Sequence, residues 1–136
     1  MRVLIIEDDQ FYAKIYRKKF EVEGHQVESC PDGENGYETA KTFKPDVILL
    51  DIMMPKMDGF EVLDKLKAEP STKNVPVVMM TNLSTEEDKA KAQQKGATLY
   101  IVKSDLTPSQ VTTAIKAAMG DKASAELAKS EPAKAA

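Results

Sequence analysis

The chain has 136 residues, 42% of them hydrophobic, and a formal net charge of -3. That is one domain's worth of sequence, long enough to bury a core without covalent staples. The charge excludes the basic footprint of a nucleic-acid binder, the single cysteine excludes an intrachain disulfide framework, and no apolar run approaches the length of a membrane span.

Five apolar runs alternate with five helical patterns. The first run, Val3 to Ile6, begins almost at the N-terminus, so no signal peptide is expected and the chain reads as soluble and cytoplasmic. It ends in Glu7-Asp8-Asp9. The first helix follows, with Phe11, Tyr12, Ile15, Tyr16 and Phe20 as its apolar side and Gly24 just past its end. His25, the only histidine, reads as an exposed turn residue. The second run, Val27 to Cys30, ends in a cysteine expected to behave as a small buried hydrophobe.

The third run, Val47 to Leu50, is continuously apolar, as in a parallel strand buried on both faces, and it ends at Asp51. Asp58-Gly59-Phe60-Glu61 opens the third helix, whose apolar face is Val62, Leu63 and Leu66. The fourth run, Val75 to Met80, ends at Thr81. Ser84-Thr85-Glu86-Glu87 reads as a capping box for a fourth helix over 84–95. Its apolar stripe is only Ala90 and Ala92, with Leu83 before it. Such a helix is weakly anchored, able to shift or to be covered by a partner. Gly96 ends it. The fifth run, Leu99 to Val102, ends at Lys103, and Thr107-Pro108-Ser109-Gln110 opens the fifth helix as a capping box with proline at its first position. From Asp121 the composition turns to Ala, Lys, Glu and Ser, with Leu127 the one large apolar residue, and a frayed helical or disordered tail is predicted over 121–136. The organisation expected is one domain, 1–120, followed by that tail.

Strand runs alternating with helices predict βαβ units, a parallel sheet and right-handed crossovers with helices on both faces. In such sheets ligands bind outside the carboxyl ends of the strands. Glu7, Asp8, Asp51, Thr81 and Lys103 all stand at such ends, so they converge on one rim. Carboxylates brought together there repel by roughly 4 kcal/mol per pair at 4 Å and an effective dielectric near 20. Crowded oxygen ligands without cysteine or histidine call for a hard cation, Mg²⁺. Asp51 can act as a carboxylate nucleophile that accepts a phosphoryl group covalently. That transfer needs mainly positioning and charge neutralisation. Mg²⁺ on Asp8 and Asp51 supplies one part, Lys103 a second and the Thr81 hydroxyl a third, while Glu7 holds metal-bound water. No histidine or arginine joins the set, which suits accepting and slowly losing a phosphoryl group better than rapid turnover.

Three stretches and a lone residue then carry a family resemblance: Leu4-Ile5-Ile6-Glu7-Asp8-Asp9, Pro45 to Gly59 around Leu49-Leu50-Asp51-Ile52-Met53-Met54-Pro55, Met80-Thr81, and Lys103 after Tyr100-Ile101-Val102. Over about residues 1 to 120 the chain resembles a response-regulator receiver domain of two-component signalling, of the stand-alone, chemotaxis-regulator type. The resemblance implies a flavodoxin-like, doubly wound α/β fold with five parallel strands in the order 2-1-3-4-5 and five helices. It implies phosphorylation of Asp51 by a sensor histidine kinase, a histidine phosphotransfer protein or a small phosphodonor. It also implies Mg²⁺ held by Asp8, Asp51 and the Met53 carbonyl, with Glu7 acting through water. Thr81 and Tyr100 resemble the family's switch pair, which alters a protein-binding face on the fourth helix, fifth strand and fifth helix. The output implied is contact with a downstream protein, not enzymatic turnover, nucleic-acid binding or membrane insertion.

The chain departs from the pattern at Ser104, where the family usually has proline after the lysine. A cis bond before serine would cost about 2.5–4 kcal/mol, so a trans bond is predicted. The resemblance implies that the positions of Met53 and Leu83 flank the phosphoryl group; both residues are apolar and cannot orient a hydrolytic water, so slow phosphoryl loss is expected. Two other readings compete with this one. An aspartate-nucleophile phosphohydrolase generally needs a second aspartate two residues after the nucleophile, where this chain has Met53. A phosphorylation-independent receiver-like scaffold would have no use for the full set Glu7, Asp8, Asp51, Thr81 and Lys103.

Overall fold

The computed structural model describes residues 1–82 and 85–119. Leu83, Ser84 and residues 120–136, which include the predicted tail, lie outside the described residues. The strands are β1 (Arg2–Ile6), β2 (Gln26–Cys30), β3 (Val47–Asp51), β4 (Val77–Thr81) and β5 (Leu99–Val102). They form one parallel sheet in the order β2-β1-β3-β4-β5. The helices are α1 (Gln10–Val22), α2 (Gly33–Phe43), α3 (Gly59–Ala68), α4 (Glu86–Gln94) and α5 (Pro108–Met119), with a 3₁₀ turn at Lys103–Asp105. No helix among the described residues is long and apolar enough to cross a membrane.

Alternation along the strands splits the core into two layers. Leu4, Ile6, Ile48, Leu50, Val77 and Met79 pack with Phe60, Leu63 and Leu66 of α3 and Ala92 of α4. Val3, Ile5, Leu49, Val78, Met80 and Ile101 pack with Tyr16 and Phe20 of α1 and Val111 and Ile115 of α5. β3 and β4 are buried at every position, which is why the central strands read as unbroken apolar runs.

Local chemistry accounts for the helix ends. Asp58 accepts from the Glu61 N–H at 3.0 Å to open α3. Thr107 and Gln110 bond reciprocally at 2.9 and 3.2 Å to open α5, the capping box expected. Gly24, at φ +89°, turns the chain out of α1, with its N–H on Glu21 O and that of His25 on Phe20 O. Cys30 is buried, its thiol bonded to Thr39 Oγ1 at 3.4 Å, and burial pushes its pKa up.

Five details differ from the sequence reading. The N-cap of α4 is Thr85, whose hydroxyl accepts from Asp88 N, so the helix is capped one residue later than predicted. Ala90 is exposed, and Ala92 alone of α4 is buried. Phe11, placed on the apolar side of α1, is 67% exposed, because Ala13, Tyr16 and Phe20 define the buried side. β4 begins at Val77: Pro76 still accepts from Ile48 N at 3.0 Å but has no N–H to give, and Val75 N bonds back to Thr72 O. His25 is half-buried, its Nδ1 is 2.8 Å from the N-terminal amine and its ring meets Phe20 edge-on.

Candidate functional site

Parallel register brings the strand ends to one rim. Ile6 pairs with Leu50 across β1 and β3, so Glu7 emerges beside Asp51. Asp51 pairs with Met80, placing Thr81 one residue further along β4, and Thr81 pairs with Val102, the residue before Lys103. Backbone bonds extend the order past the strands: Glu7 N to Cys30 O at 3.0 Å, and Ile52 N to Met80 O at 2.9 Å.

Carboxylate oxygens of Glu7, Asp8 and Asp51 all lie within 4.8 Å of one another. Glu7 is fully buried and Asp51 is 4% exposed, whereas Asp8 faces solvent. The buried Lys103 ammonium pairs with Glu7 Oε1 and lies 3.5 Å from Asp51 Oδ1. Glu7 Oε2 accepts from the Asp9 N–H at 3.1 Å. Asp9, next to these acids in sequence, caps α1 by accepting from Phe11 N at 2.9 Å.

Burial, then the neighbouring Glu7 carboxylate, pushes the Asp51 pKa up to about 8; Lys103 opposes the shift and Asp8 adds to it. One ammonium therefore does not neutralise three acids. The donor set is all oxygen and lacks thiol or imidazole, so it fits a hard divalent cation. Met53, two residues past Asp51, is 56% exposed.

The loop after Asp51 is held by close backbone approach. Gly59 N donates to Ile52 O at 2.8 Å. A Cβ on Gly59 would lie 2.4 Å from the Asp51 carbonyl oxygen, so only glycine lets α3 start this near the acid. Every peptide bond among the described residues is trans, including the one between Lys103 and Ser104. That matches the expectation for serine, and the 3₁₀ turn carries the chain onward.

The predicted set thus gathers Glu7, Asp8, Asp51 and Lys103 into direct proximity, with Thr81 buried at the adjoining strand end. Tyr100 is half-buried on β5, two residues before Val102, and packs against the core layer of α3 and α4. The sequence reading missed two residues that shape the site. Gly59 was read as part of a helix start and of the stretch that carries the family resemblance, not as a close approach to Asp51. Tyr12, read as part of an apolar stripe, lies with its ring under the Lys103 ammonium, 4.3 Å from centroid to Nζ. No spacing rule in the sequence announces that contact, because the two residues are joined only through the sheet.

Residues 3–116 match the family model described as the response regulator receiver domain. The polar-differentiation response regulator DivK of Brucella anthropi is 31% identical over 119 residues, which are 88% of this chain and 96% of that protein. The chemotaxis protein CheY4 of Vibrio cholerae superposes with a TM-score of 0.79 at 27% identity, covering 85% of this chain and 95% of that one. The Mn²⁺-bound form of response regulator Rcp1 superposes with a TM-score of 0.68 at 26% identity, covering 75% of this chain and 80% of that one. The chain spans only 14, 42 and 22% of the length of three other curated relatives that it matches. With its sheet order, its acidic rim and a family match over most of its length, the chain belongs to the response regulator receiver family of two-component signalling.

Proposed function

We propose that this protein is a single-domain response regulator in which Asp51 is the phosphoacceptor. The observation that carries the reading is the buried meeting of Asp51, Glu7 and Lys103 at the carboxyl ends of β3, β1 and β5. An Asp51 carboxylate oxygen attacks phosphorus, an acyl phosphate forms, and the bond from phosphorus to the donor's histidine nitrogen or acetyl oxygen breaks. The donors are a sensor histidine kinase, a histidine phosphotransfer protein or a small acyl phosphate. Lys103 moves its charge to a phosphoryl oxygen, and the Thr81 hydroxyl donates to another.

Mg²⁺ is the cation proposed, held by Asp8, Asp51 and the Met53 carbonyl; when bound it offsets charge on the transferring phosphoryl group. Glu7, with both oxygens already engaged by Lys103 and the Asp9 N–H, reaches the ion through water. The Mn²⁺-bound form of the similar Rcp1 supports a divalent-ion site in this fold. Thr81 and Tyr100 form the switch pair, and α4, β5 and α5 present the altered face to a downstream protein. The setting proposed is the cytoplasm. The protein turns over no substrate beyond slow self-phosphorylation from small donors and slow loss of the phosphoryl group.

Intact mass after incubation with acetyl phosphate tests this. The expected result is a gain of one phosphoryl group that requires Mg²⁺ and is lost in Asp51→Ala. A gain that persists in Asp51→Ala, or none in the wild type with either acetyl phosphate or a phosphorylated histidine donor, sinks the assignment.

A further inference from the structure

Lys103 must do two things that conflict. It has to stay near Asp51, and it has to exchange Glu7 for a phosphoryl oxygen when the acid is modified. Its hydrogen bond to Glu7 is directional and is lost in that exchange. Ser104, which follows it in a 3₁₀ turn, does not fix φ as a proline would.

Besides the two carboxylates, Glu7 and Asp51, its partner is aromatic. The Tyr12 ring lies with its centroid 4.3 Å from Lys103 Nζ. That ring is itself fixed on two sides. It stacks on Tyr16 with centroids 6.1 Å apart and planes inclined by 17°, and it meets Phe11 edge-on at 5.7 Å and 75°. Tyr16 is fully packed in the core, so the stack transmits rigidity from the sheet to the rim. α1 starts at the Asp9 cap and therefore delivers Tyr12 within its first turn, beside the acids.

A ring face attracts a cation through its quadrupole, over a broad area and without a hydrogen-bond angle to satisfy. The ammonium can slide across it while changing oxygen partners. We propose that Tyr12 is a positioning residue for phosphoryl acceptance: its ring face holds the Lys103 ammonium at the acidic rim while the lysine passes from Glu7 to the phosphoryl group. This rests on Asp51 being the phosphoacceptor.

The test compares four proteins: wild type, Tyr12→Phe, Tyr12→Leu and a variant with 3,4,5-trifluorophenylalanine at position 12. The last keeps the ring's shape and weakens its negative face. Two readouts are taken. The first is the upfield ring-current shift of the Lys103 ε-methylene protons by NMR. The second is the rate of mass gain from acetyl phosphate with Mg²⁺. Tyr12→Phe should keep the shift and stay within about twofold of the wild-type rate. Tyr12→Leu should lose the shift, and both it and the fluorinated variant should react about 5- to 20-fold more slowly. Equal rates in the fluorinated and Tyr12→Phe proteins would reduce the ring to a spacer and overturn the proposal. So would an unshifted ε-methylene signal in the wild type. A wild type that gains no mass from either acetyl phosphate or a phosphorylated histidine donor would instead overturn the Asp51 reading, and the proton shifts would still decide whether the ring holds the lysine.

Discussion

α3 and α4 cover the same face of the sheet and are held to it in opposite ways. α3 buries Gly59, Phe60, Val62, Leu63 and Leu66, whereas α4 buries Ala92 alone. At roughly 1.5–3 kcal/mol for a fully buried large apolar side chain, α3 is fastened by several such increments and α4 by a methyl group. What else joins α4 to its neighbour is long and polar. Lys91 lies over the Phe60 ring at 4.4 Å, and Lys95 pairs with Asp64 at 2.8 Å. Between the two helices runs an open groove of about 530 Å³ lined by Ile52, Met53, Met54, Asp58, Phe60, Asp88 and Lys91. The rigid helix carries the backbone that sets Asp51, and the loosely held one stands beside it. On the proposed function, that division is what a change at the acid would use to move one element without unfolding the other.

The sharpest way to break this comparison is to cut equivalent anchors. Leu63→Ala should cost about 2–5 kcal/mol in urea unfolding, while Ala92→Gly should cost about 1 kcal/mol. Equal losses would mean that α4 is anchored by something other than its apolar face. Next in size is Gly59→Ala, whose Cβ meets the Asp51 carbonyl oxygen. A loss of about 1–3 kcal/mol is expected, with amide shifts concentrated from Asp51 to Phe60 and few in α4. Shifts spread evenly over both helices would contradict the separation.

A pH series addresses the acid itself in metal-free protein. The Asp51 carboxyl ionises near 3.8 when unfolded and near 8 when folded. Between those values the unfolded chain has released a proton that the folded one keeps, so raising the pH favours unfolding, and the whole penalty is present above about pH 8. Thermal midpoints should therefore fall between about pH 4 and pH 8, and Asp51→Asn should flatten that fall. A wild-type profile parallel to that of Asp51→Asn would show that the acid is not strained by its burial. The smallest effect belongs to the ion pair. Lys95→Ala should change global stability by less than about 1 kcal/mol, yet α4 amides should exchange faster while those of α3 do not. Unchanged exchange in α4 would remove Lys95 from the account of how that helix is held.

Much of this was legible in the chain. Continuous apolar runs at β3 and β4 announced strands buried on both faces, and the reciprocal box at Thr107 and Gln110 fixed the start of α5, because both depend on neighbours in sequence. The place of Glu7, Asp8, Asp51, Thr81 and Lys103 at strand ends was equally legible, since a parallel sheet carries all such ends to one side. The tertiary structure alone decided how those residues meet. That Lys103 chooses Glu7, that Tyr12 turns its ring to the ammonium and that Gly59 must lack a side chain are outcomes of packing between segments distant in sequence. Phe11 and Tyr12 are adjacent aromatics on one helix, yet one faces solvent and the other the acidic rim. Successive helix residues point about 100° apart, so Tyr12 continues the stripe of Tyr16 and Phe20 while Phe11 does not, and only the packing of that stripe on the sheet brings the Tyr12 ring to the rim.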